Sequence, residues 1–480
     1  MRVAIIGAGP AGIAAGHELL RQGLNDFVIF DALDAPGGTW RLHSYPGLAC
    51  DVWAHSYTFS YAPNPDWSAS FVGFAEIQAY LADCATRFGL DPHLRLNTRI
   101  VRAAFLSGGR WSLDSEAGPE GEFDAVINCM GNQHTPLYPQ VEGRETFAGD
   151  SWHSTEWNHD VDLTDKRIVV VGSAAAAVQV VPELAKVAGH LSVLQRSANW
   201  IMPRGRKAYS DAQRRRFRRF PRLMGATRAL QGLMMGQVAH AVTLGHKRMD
   251  QFESMVKKHI DNTVEDPALR EALLPDSRYG CKRGLVSDDF YPALNRDNVE
   301  LVPQGLARVT RNGVITSDGR EIAADVIIYC TGYRILDYDR IEVLGRDGQS
   351  LADTMGADQR AHKGICVPGF PNYFFAVGPN GLVLNVSYFV TVERNVQTIV
   401  GLLKQLQANG AQSLEVTREA FEDYNAWMNG RFGRFSWGSS ATCSSYYINA
   451  SGHPPFLFPG TFKEYRKLHD AISLTEFSLV

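Results

Sequence analysis

Cysteine is scarce and scattered in this chain of 480 residues: there are seven, none in a CxxC pair and none in a Cys/His cluster at metal-ligating spacing. That pattern excludes a zinc module, and it favours a reducing cytosol with most thiols buried as apolar fillers. A charge excess of either sign is missing too. Forty-eight basic against fifty-one acidic side chains leave a net charge of −3. No overall field recruits nucleic acid or an anionic membrane, so small molecules are the expected partners. Long apolar runs are absent. The most apolar helical stretch, Leu230 to Leu244, is interrupted by Gly232, Gly236, Gln237 and His240 and falls short of a membrane span. A strand begins directly after Met1, which leaves no space for a signal peptide, and the expectation is a cytoplasmic protein. With 45% hydrophobic and 21% charged residues, the chain reads as a globular protein of two or three domains. Neither a low-complexity tract nor a short repeat is visible.

Glycine is present where it matters. Arg2 to Ile6 is a short β-rich run that leads into Gly7-Ala8-Gly9-Pro10-Ala11-Gly12 and a helical pattern through Leu20. In such a unit Gly7 permits the strand-to-helix turn, Gly9 lets the backbone approach a pyrophosphate, and Gly12 lets the helix pack on the sheet. The helix N-terminus offers unpaired N–H groups to the phosphates. A second strand, Phe27 to Phe30, ends on Asp31, placed to accept hydrogen bonds from a ribose diol. Strand, fingerprint, helix, strand and acid in this order predict an adenine-dinucleotide site.

A second unit repeats the plan. Arg167 to Val171 feeds Gly172-Ser173-Ala174-Ala175-Ala176-Ala177 and a helix to about Val187. Only the first glycine of the fingerprint survives, and Ala174 sets a methyl group where the backbone would meet the diphosphate most closely. The next strand, Leu191 to Leu194, ends in Gln195-Arg196 instead of an acid, which suits the 2′-phosphate of NADPH. Gly172, Ser173, Gln179, Arg196 and Ser197 are assigned to this second site. Two dinucleotide units in one chain predict hydride passage from nicotinamide to flavin. The alternative at the second unit is a βαβ element that has lost its ligand.

Between the units, Phe147, Gly149, His153 and Trp157 match the FxGxxxHxxxW fingerprint of type I Baeyer–Villiger monooxygenases, a branch of the class B flavoprotein monooxygenases. The resemblance extends to Gly37-Gly38-Thr39-Trp40, Tyr45-Pro46-Gly47, Asp51, Gly280-Cys281-Lys282-Arg283, Asn295 to Val299, Cys330-Thr331-Gly332-Tyr333, Pro368 to Asn372 and Gly378-Pro379-Asn380. Related enzymes that oxidise nitrogen and sulfur usually end the fingerprint in Tyr. This chain departs from the family at Asn158, at Ala174, and at Ser445-Tyr446-Tyr447, where many relatives carry a tryptophan on a loop over NADPH.

The resemblance implies an α/β protein with two Rossmann-like domains, one for FAD and one for NADPH, the second carrying a helical insertion. It places a first FAD part at 1–145, the NADPH domain at 146–324 with the insertion at about 207–275, and a return to the FAD domain at 325–480. It implies that one atom of O2 is inserted next to a ketone carbonyl through a flavin peroxide, giving an ester or lactone. Arg283 corresponds to the catalytic arginine and Asp51 to the carboxylate that positions it. Lys282 and Arg196 share the 2′-phosphate. Gly38, Thr39 and Trp40 border the flavin, Tyr57 reaches a phosphate or ribose, and Thr331 and Gly332 complete the cofactor set. His153 is read as a hinge between the domains, and the basic run Arg214 to Arg219 as a solvated helix face. An N- or S-oxygenating flavin monooxygenase, and a flavoprotein with a decayed NADPH site, are the competing readings.

Overall fold

The computed structural model describes residues 1–438, 443, 445, 447–449 and 451–479; Tyr446 of the loop expected over NADPH lies outside them. Two five-stranded sheets, parallel throughout, organise the chain. In the first, strands Tyr373–Phe375, Ala125–Asn128, Val3–Ile6, Phe27–Phe30 and Leu94–Arg95 lie side by side in that order. In the second the order is Val299–Val302, His190–Leu194, Arg167–Val171, Val326–Tyr329 and Asp150–His153. Central strands such as Val3–Ile6 and Val326–Tyr329 are buried at every position. Parallel sheets are covered on both faces, so their strands read as unbroken apolar runs instead of alternating ones.

Each fingerprint follows the middle strand of its sheet and opens a helix, Pro10–Arg21 in the first and Ala175–Leu184 in the second. Pro10 and Ala175 start these helices without any side-chain cap, so the first turn's N–H groups are left for a ligand.

The helical insertion consists of Asp211–Arg219, Pro221–Ala241, Lys247–Thr263 and Pro267–Ala272. Its starts follow from local chemistry: Ser210 and Gln213 form a capping box, and Asp266 caps the last helix just ahead of Pro267. In the basic run only Phe217 is buried, against the rings of His55 and Tyr209. Among the described residues, no helix is long and apolar enough to cross a membrane.

Two expectations are corrected. The strand Val326–Tyr329 does not begin the return to the first domain at 325; it pairs with Arg167–Val171 in the second sheet, and the Asp325 carboxylate accepts from the Arg167 guanidinium at 2.7 Å and its backbone N–H at 2.9 Å. The apolar pattern of this strand suits either sheet, and only the partner decides. Second, not all cysteines are separate: Cys281 and Cys443, 162 residues apart, form a disulfide with 5.4 Å between their Cα atoms. The other five are buried.

The sheets are joined by two crossovers that pair with each other. Pro136 and Tyr333 form an antiparallel bridge, the Leu137 N–H donates to Gly332 O at 2.9 Å, and the Arg334 N–H donates to Thr135 O at 3.0 Å.

Candidate active site

The first fingerprint turn is closed on every side by backbone. Gly7 has φ +110°, and a Cβ there would lie 2.6 Å from Cys129 O; a Cβ on Gly12 would lie 1.8 Å from Gly7 O. The loop Gly37-Gly38 lies across this turn, so that a Cβ on Gly38 would come within 2.8 Å of the Gly9 Cα. A pocket that tolerates no side chain, at an uncapped helix N-terminus, fits a pyrophosphate. The buried Asp31 carboxylate accepts from the Ala8 N–H at 2.5 Å and the Leu33 N–H at 2.8 Å. Burial raises its pKa, and the two N–H bonds counter that shift. Asp31 therefore anchors the turn at the end of the second strand.

Thr39 and Trp40 begin a short helix beside this turn, and the Trp40 indole N–H donates to Tyr57 Oη at 3.1 Å. Tyr57 packs edge-on to Phe389, and its hydroxyl oxygen accepts from the Trp40 indole. A cleft next to the turn is lined by Ala11, Asn128, Met130, Gly131, Tyr338 and Tyr388.

In the second unit Gly172 has φ +108° and Ala174 takes an extended conformation. Ser173 is held by Asn199, whose amide donates to Ser173 O at 3.0 Å. Lys282 Nζ donates to Ser197 Oγ at 2.6 Å and Ala198 O at 3.2 Å, on the same loop as Arg196. Burial lowers the Lys282 pKa; Asp276 opposes this and the Arg196 charge adds to it. Two cations held near each other beside a serine hydroxyl fit a dianionic phosphate.

Asp51 stands between the units. Its Oδ2 faces Arg283 Nη2 at 3.4 Å, and its Oδ1 faces Arg204 Nη2 at 3.6 Å and accepts from Gln179 Nε2 at 3.3 Å. Gln179 also donates to Ala49 O and accepts from the Tyr45 hydroxyl, both at 3.0 Å. It thus ties the second unit's helix to the Tyr45 to Asp51 loop and does not line the second fingerprint. Gly47 permits that approach, since a Cβ there would sit 2.2 Å from Gln179 O. Burial pushes the Cys50 thiol up to about 12 and Tyr45 well above its ordinary value, so both stay neutral beside the carboxylate.

Thr331 and Gly332 lie on the crossover, where the Thr331 hydroxyl donates to Leu137 O at 2.7 Å. His153 is buried there between Tyr138 and Tyr333, and burial lowers its pKa to about 4. Arg204 and the tyrosines 338 and 388 were missed in the sequence. Arg204 sits in Arg204-Gly205-Arg206, which carries no signal beyond surface charge.

Known proteins are similar to this chain in sequence and fold. A family model described as flavin-binding monooxygenase-like matches residues 1–342. A Baeyer–Villiger monooxygenase of Streptomyces coelicolor is 37% identical over 100% of this chain and 93% of its own length. One from Pseudomonas aeruginosa is 38% identical over 97% of this chain and 89% of its own. The crystal structure of cyclohexanone monooxygenase from Rhodococcus sp. Phi1 bound to NADP+ superposes with a TM-score of 0.88 at 26% identity, covering 100% of this chain and 98% of the other.

Proposed function

The chain belongs to the flavin-binding monooxygenase-like family, and from that premise we propose that it inserts one atom of O2 beside a ketone carbonyl, using FAD and NADPH, to give an ester or lactone. The observation that carries this reading is the Asp51–Arg283 pair at 3.4 Å, placed between two dinucleotide turns.

The residues divide the work. The turn Gly7 to Gly12, with Asp31 and the Gly38-Thr39-Trp40 segment, holds FAD. Gly172, Ser173, Arg196, Ser197 and Lys282 hold NADPH, the cations taking its 2′-phosphate. When bound, the two cofactors supply the electrons and activate O2. Oxygen insertion at a ketone builds negative charge on oxygen, and a guanidinium stays protonated at any working pH while offering a fork of donors. Arg283 fills that role, and Asp51 fixes its direction. His153 occupies the crossover as the hinge element. We assign residues 1–145 to the FAD domain and 146–324 to the NADPH domain, which also takes the strand Val326–Tyr329. A cytosolic supply of NADPH suits this reading, although the Cys281–Cys443 bridge would be open to reduction there.

A panel of ketones, with NADPH and O2 consumption and product mass, tests the class: a product one oxygen heavier than its ketone is expected. Arg283→Ala should abolish that product while NADPH still bleaches the flavin. Ester formation retained in Arg283→Ala would overturn the assignment.

A further inference from the structure

Resting on the reading of Asp51 and Arg283 above, we propose that Arg204 is a positioning residue for oxygen insertion: it takes one side of the Asp51 carboxylate and offsets its charge, so that Arg283 is oriented by the carboxylate without being neutralised by it. The geometry is a three-centre array. Arg204 follows the strand Ile201–Met202, Arg283 precedes the strand Leu285–Val286, and these two strands pair in parallel. Both guanidiniums therefore leave one short ribbon and reach one carboxylate, Arg204 at Oδ1 and Arg283 at Oδ2. Arg204 is fixed on the ribbon as well, donating from Nη2 to Val286 O at 3.2 Å.

Their settings differ in a way that assigns the roles. The Arg204 side chain is 12% exposed, as is that of Asp51, whereas the Arg283 side chain is 39% exposed. Arg204 is thus the buried partner of the carboxylate and Arg283 the more exposed one. Among the described residues, the charged groups facing Asp51 are these two arginines; the titratable neighbours Tyr45 and Cys50 stay neutral, and Gln179 contributes an amide donor. One anion between two cations leaves a net positive charge. With Arg204 removed, Asp51 and Arg283 form a neutral pair with less attraction for a developing oxyanion.

The test uses the holoenzyme carrying Arg204→Met, Arg204→Lys and Asp51→Asn, alone and combined. Arg204→Met should lower kcat for ketone oxidation roughly tenfold or more while KM for NADPH stays within about twofold. Arg204→Lys should recover most of the rate. In the Asp51→Asn background, Arg204→Met should add less than about a twofold loss, because its partner is gone.

Thermal unfolding of the wild type, Arg204→Met, Asp51→Asn and their double variant gives a readout independent of turnover, with non-additive Tm changes expected. Equal losses in both backgrounds, no recovery in Arg204→Lys, or a loss confined to KM for NADPH would each overturn the role of Arg204. These outcomes are separate from ester formation retained in Arg283→Ala, which overturns the underlying reading of the site.

Discussion

The two fingerprint turns begin alike and then diverge. Gly7 and Gly172 have φ +110° and +108°, and at each a Cβ would lie 2.6 Å from a carbonyl oxygen, that of Cys129 or Cys330. Their N–H groups donate to the neighbouring strand at Phe30 O and Leu194 O. The first glycine is therefore demanded by the parallel-sheet topology, whatever is bound. At the third position Gly9 and Ala174 both take extended backbone, with φ −75° and −89°, which alanine adopts without strain. At the sixth the turns part: Gly12 lies against Gly7 O, whereas the second helix accommodates the buried Ala177. The second turn is thus a looser cradle, not a ruined one. In the reading proposed above, the first turn holds its ligand by close backbone contact, and the second relies on the charges of Arg196 and Lys282.

The largest effect that would expose this difference is at the sixth position. Gly12→Ala places a methyl 1.8 Å from Gly7 O and should yield protein purified without flavin, while Ala177→Gly should keep its full flavin absorbance. Normal flavin content in Gly12→Ala would break the comparison. Next is the charge term: Arg196→Ala should raise KM for NADPH on the order of tenfold and KM for NADH less than about threefold. Equal effects would remove the 2′-phosphate from Arg196.

A smaller effect acts on the seam between the units. Burial pushes His134 and His153 down to about 4, with Arg340 adding to the shift at His134. Unfolded histidines bind protons first, so stability from these groups is present above about pH 6.5 and is lost as pH falls toward 4. Tm should fall over that window, less steeply in His153→Gln; an identical slope would exclude His153. Smallest is Ala174→Gly, which should change KM for NADPH by less than about threefold because the alanine is unstrained. A tenfold gain would mean that the methyl does obstruct the ligand.

What could be read from the sequence was whatever neighbouring residues decide. The fingerprint at Gly7, the acid at Asp31 and the basic face around Phe217 are local, and all lie where their spacing put them. The Asp51–Arg283 proximity came from resemblance, since 232 residues separate the pair and no spacing rule connects them. Three things depended on contacts made only in three dimensions. Val326–Tyr329 could join either sheet, Arg204 looks like any surface arginine, and Cys281 shows no sign of Cys443.

The paired crossovers have a mechanical consequence. A single connecting strand would let the two sheets turn about every axis, but the ribbon formed by residues 135–137 with 332–334 resists torsion through its hydrogen bonds. The seam is stitched elsewhere too: the Ser70 N–H donates to Lys207 O at 2.8 Å, Arg228 Nη1 donates to Phe59 O at 3.1 Å, and Asp51 faces both Arg204 and Arg283. The two dinucleotide turns are therefore set against each other by several lines of contact and do not hang from one connection.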